Sequence, residues 1–506
     1  VIVGVGIALR IAQYACDRSL WLNEAMLADN ILYRSMRGLF EPLAMIQVAP
    51  YGFLVLERAV THIAGTSELA LRAVPLASGV MALLLFAALA RRVSAPWTAV
   101  IATALFACCW PLIYQSSEVK QYSTDVAVSV ALLWCGVAAV SGDPWRGARA
   151  VGVALLGAAG VWLSYPALFT AAGVGVVLLV DAHRRRDGEA RRGALLIVSA
   201  WLVASIPVIA HSRHALTPAD ALWMQGFWNG GFMPIVPHSL RDVLWLPHAI
   251  FDLYRTAFDV RFAALAVVVA ALGAWTIWRR DRWVFAVFAL PVAGALVASA
   301  LHLYPLLSRV SLFLAPTAFL AVAMGVNAMW KTYPRVGPVA AAATAALILG
   351  PMLRLPEAFR ADDEALRGVA GYVAARRHVG EPIYVYVMGD AAFEYYANRF
   401  GIPQSAIRYG SVADSSWRQY ARQIDVLRGQ PRVWVVASHL NSQSGVFGAI
   451  LIEDYLTAVG RRIDSVATPG AWGQLFDLSD TVATRGVSAK NFSAPANAFV
   501  GARPEL

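Results

Sequence analysis

Four polar side chains in the run YQSSEVKQYSTDV (Glu118, Gln121, Tyr122 and Asp125) are spaced so that a helix through them would present all four on one face. Lys120 stands at the edge of that set. Apolar stretches flank the run on both sides, and ionisable groups at the mouth of an apolar segment are costly unless they face a cavity that uses them. The other reading is a solvated turn with Lys120 snorkelling to water. A second group lies earlier, in DRSLWLNEAMLADNILYRSMR, residues 17–37. From Asn23 onward Met26, Leu27, Ile31, Leu32 and Met36 recur at helical spacing. A helix lying along a membrane interface with its polar face toward water is therefore predicted, with the Glu24 carboxylate held just above lipid. A carboxylate at that height can accept the proton of a hydroxyl nucleophile. The same residues also fit a plainer role, in which Asn23 caps the helix and Glu24 complements its dipole. Two arginines complete the set: Arg309, just after His302 and Tyr304 in HLYPLLSRV, and Arg72. The planar guanidinium fork suits phosphate, and either arginine would also serve as an interfacial anchor.

The chain that must position these residues is 506 residues long, 58% hydrophobic and 15% charged, with a mean hydropathy of +0.57. That composition is a polytopic membrane protein's. The net charge of +10 does not point to nucleic acid, because the basic residues sit in short loops between apolar runs. Cys16, Cys108, Cys109 and Cys135 all fall in or beside apolar segments, which argues against a disulfide framework or a CxxC metal site. His211 and His214 are a weak metal signal without carboxylate or thiolate neighbours. There is no phosphate-binding glycine loop, no HExxH and no GxSxG in a fitting context.

Eleven candidate spans can be placed. The first is an opening run of about 16 residues, short of the usual ~20, which reads as a helix entered part-way rather than a cleaved signal. The others fall near 68–90, 96–114, 122–140, 150–165, 167–182, 193–211, 260–278, 283–301, 308–328 and 336–353. Between the first two lies QVAPYGFLVLERAVTHIAG, read as a second surface helix. Basic residues mark alternate loops: Arg91 and Arg92, Arg146 and Arg149, Arg184 to Arg192, Arg279 to Arg282, and Lys331 with Arg335. Those loops are expected on the cytoplasmic side. Glu24, the 115–122 loop, the long aromatic-rich loop 211–259, the loop 302–309 and everything after 351 then share the external face.

A transmembrane domain is thus expected over 1–353 and an external soluble domain over 354–506. Within the second, a helix is expected at 365–378, with strands beginning at Ile383, Arg432 and Gly473, which suggests a small α/β domain. The tail from Arg485 reads as loose.

Taken together, these stretches resemble the GT-C membrane glycosyltransferases, in particular the family 39 type that includes the protein O-mannosyltransferases and the lipid A aminoarabinose transferase. SLWLNEA resembles the family's Asp-Glu pair after the first span, with Asn23 in place of the Asp. QVAPYGFLVLERA is similar to its Pro-Pro-hydrophobic segment, and SELALRAVPLASGV to the start of its second span. SEVKQY stands where the family commonly has an acidic residue, Arg, Pro and Tyr, so Lys120 and Gln121 keep the charge but lose the paired donors. YPLLSRVSLFLAP resembles the later Arg-hydrophobic-Pro span.

The resemblance implies an enzyme of a bacterial inner membrane that transfers a sugar from a polyprenyl-phosphate donor to a glycan, lipid or protein acceptor on the periplasmic face, with inversion. Glu24 would be the base and Asn23 would hold acceptor or sugar. Lys120, Arg309 and Arg72 would bind the donor phosphate. Glu118, Gln121, Tyr122, Asp125, His302 and Tyr304 would position sugar or acceptor. No cofactor is required, and a divalent metal at Glu24, Glu118 or Asp125 stays open. A lipid or oligosaccharide transporter and an O-antigen ligase are the competing readings.

Overall fold

The structure is a computed structural model that describes residues 1–332, 335–352, 359, 364–411, 418–440, 443–479 and 487–490. Both the boundary at 353/354 and, apart from 487–490, the tail from Arg485 lie outside the described residues. The chain divides into two compact units, one of Val1–Asp17 with Arg34–Arg360 and the other of Arg18–Tyr33 with Ala361–Leu506. The chain therefore visits the second unit twice.

The helices in chain order are α1 (Ile2–Ala15), α2 (Leu22–Tyr33), α3 (Tyr51–Ala64), α4 (Glu68–Leu71), α5 (Ala73–Val93), α6 (Pro96–Cys108), α7 (Trp110–Tyr114), α8 (Tyr122–Val140) and α9 (Gly147–Leu163). There follow α10 (Ala167–Arg184), α11 (Gly188–His214), three short helices α12 (Pro218–Phe227), α13 (Leu240–Val243) and α14 (Trp245–Asp252), then α15 (Ala263–Arg280), α16 (Arg282–Ala300), α17 (Ala315–Thr332) and α18 (Gly337–Met352). All but α2 belong to the first unit. Among the described residues, 7 helical segments are long and apolar enough to cross a membrane. The pair α6 and α7, bent by 60°, makes an eighth, and α1, α9 and α18 are shorter apolar helices. Each of the eleven stretches read from hydropathy is therefore helical.

The basic loops gather at one end of this bundle. Arg92 donates to the Ala138 carbonyl at 3.3 Å, Arg185 to Ala139 and Val140 at 3.3 and 3.0 Å, and Arg280 to Val93 at 3.2 Å. Arg146 pairs with Asp187, and the Arg184 guanidinium lies 4.6 Å from the Trp283 ring centroid. The helices that start there are capped by acid: Asp187 accepts from the first amides of α11, and Asp281 from those of α16. Cations satisfying the last carbonyls and carboxylates satisfying the first amides are what helix ends outside hydrocarbon require.

Packing between spans relies on small residues, as expected where lipid removes the hydrophobic drive between helices. A Cβ at Gly273 of α15 would fall 1.8 Å from the Ala321 carbonyl of α17, and one at Gly325 of α17 would fall 1.9 Å from the Val269 carbonyl of α15. The two backbones touch in both directions. Deeper in, Phe86, Phe106, Phe319 and Phe258 form a run of ring contacts 4.4 to 6.4 Å apart that joins α5, α6, α17 and the turn after α14.

In the second unit, five strands form one mixed sheet in the order β2-β1-β3-β5-β4. They are β1 (Ile383–Val385), β2 (Ile407–Tyr409), β3 (Val433–Ser438), β4 (Arg461–Thr468) and β5 (Ala471–Asp477). β1 runs parallel to β2 and β3, while β5 is antiparallel to β3 and β4. The helices are α19 (Leu366–Arg376), α20 (Asp390–Phe400), α21 (Arg418–Asp425) and α22 (Gln443–Val459). Every residue of β3 is buried because both faces are covered. A Cβ at Gly473 would meet Val369 and Val373 of α19, while its neighbour Gln474 donates to Glu453 of α22 at 2.8 Å.

Candidate functional site

The polar run is not one helix, so its four side chains do not share one helical face. Pro111 cannot continue α6, so the third span breaks at Cys109 and bends into α7, a single 3-10 turn over Gln115–Ser117 follows, and Glu118 is extended at φ −123° and ψ 136°. α8 begins only at Tyr122. Glu118 therefore does not share a helical face with Asp125; a turn brings it back instead, and Glu118 and Tyr122 both lie close enough to the Arg309 guanidinium to act on it. Arg309 sits 5.8 Å above the Tyr122 ring centroid, a cation–π distance. Tyr304 is held by a 2.9 Å hydrogen bond from its hydroxyl to the Val310 carbonyl and by the rings of Phe169 and Phe313. Asp125 and Tyr122 both act on that phenol.

Lys120 is 6% exposed. Its Nζ donates to Gln47 Oε1 at 2.6 Å, and Gln121 donates to the Val48 carbonyl at 3.4 Å. Tyr165, from the junction of the fifth and sixth spans, donates to the Ala49 carbonyl at 3.1 Å. Next to it Ser164 lies close enough to act on the Asp125 carboxylate, whose Oδ1 has no hydrogen-bond partner among the described residues. The extended lead-in 47–49, fixed by Pro50 at the start of α3, is thereby tied to the segment after α7. The basic loops lie at the other end of the spans: α8 starts at the Tyr122 cluster and finishes among the Arg92 and Arg185 contacts.

The remaining candidates fall elsewhere in the chain. Arg72, almost fully buried between α4 and α5, acts on the hydroxyl of Tyr14, which itself donates to Leu69 at 2.7 Å. His302 is exposed, with a left-handed φ of 56°, and its ring stacks on Phe232 at 4.8 Å. Glu24 and Asn23 belong to the second unit. There the Leu22 amide at the head of α2 donates to Glu364 Oε2 at 2.9 Å, Glu364 also binds His439 Nδ1 at 2.6 Å, and the Leu20 amide reaches the Tyr396 hydroxyl at 2.8 Å. A carboxylate 342 residues away thus meets the first amide of α2. Glu24 is buried and Asn23 half-buried. The expectation that the polar face of this helix is open to water does not hold. Glu24, Asp29 and Asn30 are all inside, because the helix is polar on more than one side and packs against α20.

Two buried carboxyls were not singled out from the sequence. Neither oxygen of Asp29 has a hydrogen-bond partner among the described residues; burial, together with Glu394 and Asp390, pushes its pKa up to about 8. Glu57 sits on the inward face of α3 with Phe53, Leu54 and Thr61, also without a partner for either oxygen, and burial raises its pKa well above the usual carboxylate range. Neither could have been found by spacing alone. Arg10 could have been: a lone charge in the opening apolar run is a default pointer to function in a membrane protein.

Among the described residues no three His, Cys, Asp or Glu side chains come together in a way that could hold a metal ion.

No protein-family model and no curated protein matches the chain. Solved structures do. ArnT from Cupriavidus metallidurans bound to undecaprenyl phosphate aligns with a TM-score of 0.56 at 13% identity, over 94% of this chain and 97% of that one. The apo form of the same protein aligns at 0.53 and 12% identity, over 92% and 96%. The chain has the GT-C fold. An oligosaccharyltransferase from Archaeoglobus fulgidus, solved with Zn and sulfate, aligns with a TM-score of 0.47 at 12% identity over 94% of this chain and 73% of its own. The segments likened to GT-C motifs fall on defined elements: SLWLNEA at the head of α2, QVAPYGFLVLERA on the lead-in and α3, SEVKQY on the link into α8, and YPLLSRVSLFLAP on the turn that enters α17.

Proposed function

We propose that this multi-pass membrane protein transfers a sugar from a polyprenyl-phosphate donor to a hydroxyl acceptor by a single inverting displacement. The observation that carries the reading is the Lys120–Arg309 arrangement. A buried ammonium and a guanidinium are set on one polar segment and the Tyr122 ring beside it, in a GT-C fold whose neighbour ArnT was solved with undecaprenyl phosphate. Lys120 and Arg309 hold the donor phosphate and stabilise the charge that grows on it as it leaves. Glu118, Gln121, Tyr122, Asp125 and Tyr304 orient the sugar, with His302 at the rim, and Arg72 is a third phosphate-binding cation. Glu24 takes the proton of the acceptor hydroxyl, and Asn23 holds acceptor or sugar. The acceptor oxygen bonds to the anomeric carbon as the carbon–oxygen bond to phosphate breaks, and the polyprenyl phosphate departs with the electron pair. No covalent enzyme intermediate is needed.

The alternating basic loops support placing their end of the bundle in the cytoplasm. The site and the chain beyond 353 then face the periplasm of a bacterial inner membrane. The acceptor is a glycan, lipid or protein.

The test uses purified full chain in lipid vesicles with a panel of polyprenyl-phosphate sugars, reading release of the lipid phosphate. Release from at least one donor is expected, with its half-saturating concentration raised about tenfold or more in Lys120→Ala. If no donor is consumed, or Lys120→Ala behaves as wild type, the reading is wrong. A transporter would move the lipid without releasing phosphate, and a ligase working from the long loop 211–259 would keep its activity in Glu24→Gln.

A further inference from the structure

The 60° bend between α6 and α7 leaves backbone carbonyls without helical partners inside the protein, where an unsatisfied polar group is costly. Pro111 has no amide to give the Ala107 carbonyl four residues earlier. Arg10 supplies the donor. Its Nη1 donates to Ala107 at 3.3 Å and to Gly6 at 2.9 Å, and its Nη2 reaches Phe106 at 3.5 Å. Gly6 makes this reach possible: a Cβ there would lie 2.8 Å from that of Ala107, so α1 lies directly against the end of α6. Arg10 is 1% exposed, and its Nε has no protein partner among the described residues. It lines a cavity of ≈ 10 Å³ together with Gln115, Tyr122 and Ser123, and Gln115 Oε1 likewise lacks a partner. That is room for about one water between donor and acceptor.

We propose that Arg10 is a positioning residue for the phosphate site: it locks the corner at Pro111 and backs the cavity behind Tyr122, and so fixes where Lys120 and Tyr122 stand. The inference rests on the donor-phosphate reading above. Arg10 touches neither Lys120 nor Arg309 in any described contact and acts through the segment that carries them. With Arg10 gone, the corner has no donor for the Ala107 carbonyl, and displacement of the segment by about 1 Å is enough to weaken a preorganised site many-fold.

The experiment measures undecaprenyl phosphate binding and melting temperature for the full chain in lipid, as wild type, Arg10→Met, Arg10→Lys, Pro111→Ala and Lys120→Ala. Arg10→Met is expected to weaken binding about tenfold and Arg10→Lys to recover most of the loss, since an ammonium can still donate to a corner carbonyl. Pro111→Ala gives Ala107 a backbone donor and lets α6 run on, so it is expected to melt no lower than wild type yet bind about fivefold more weakly. A merely structural role would move melting and leave binding alone. Folded Arg10→Met with wild-type affinity overturns the proposal. If Arg10→Met does not fold, unchanged affinity in Pro111→Ala overturns it instead. Absence of binding by wild type, or no effect of Lys120→Ala, overturns the phosphate reading itself, a result distinguishable from an Arg10-specific failure.

Discussion

A buried carboxyl facing two others is a liability unless it keeps its proton, and Asp29 is in that position. Its neighbours are Asp390 and Glu394 on α20, with the phenols of Tyr33 and Tyr409 nearby. A folded pKa of about 8 against the ordinary 3.8 means that between those two values the folded state holds a proton the unfolded state has released. The stability tied to that proton is complete below pH 3.8 and is lost as pH climbs through about 8. Asp29→Asn should therefore flatten the fall in melting temperature between about pH 4 and pH 8 and raise the melting temperature at the alkaline end. An unchanged pH profile would show that Asp29 is not buried in its acid form. At this scale the sequence was only partly legible. The Glu118 to Asp125 run was found because charge beside an apolar segment stands out, whereas Gln47, Ser164 and Tyr165 are neutral and gain their roles from contacts that no local pattern encodes.

Among the elements, the apolar spans were readable because hydropathy and alternating basic loops are properties of composition, and each stretch is helical. The break in the third span was missed although Pro111 was in plain view, because a Pro near a helix start and a Pro that ends one look alike in sequence. In the sheet, the buried strands β1, β3 and β5 announce themselves as apolar runs. β2 is three residues long and β4 is largely exposed and polar, so neither has the alternation a half-buried strand shows. The contact of α15 with α17 makes a prediction of its own. Gly325→Val places two methyls where a backbone carbonyl sits, and should cost roughly 1–3 kcal/mol or more, read as a lower melting temperature in lipid. A melting temperature equal to wild type would mean that these spans do not meet there.

For the whole molecule, the fold over nearly the full length is that of the GT-C structures despite identity near 13%, which is what conserved span order and packing can preserve when side chains do not. The least legible feature is the membership of residues 18–33 in the second unit. Its ties to Glu364, Tyr396 and Arg367 cross more than three hundred residues and leave no local trace. The placement matters because the proposed base rides on that helix, while the proposed phosphate cations belong to the first unit. Separating the two roles is the most direct test. In lipid, Glu24→Gln should bind undecaprenyl phosphate within about threefold of wild type while its rate of sugar transfer falls by a factor on the order of a hundred or more. Transfer at the wild-type rate by Glu24→Gln, with the donor bound as before, would contradict a proton-accepting role for this residue and with it the proposed chemistry.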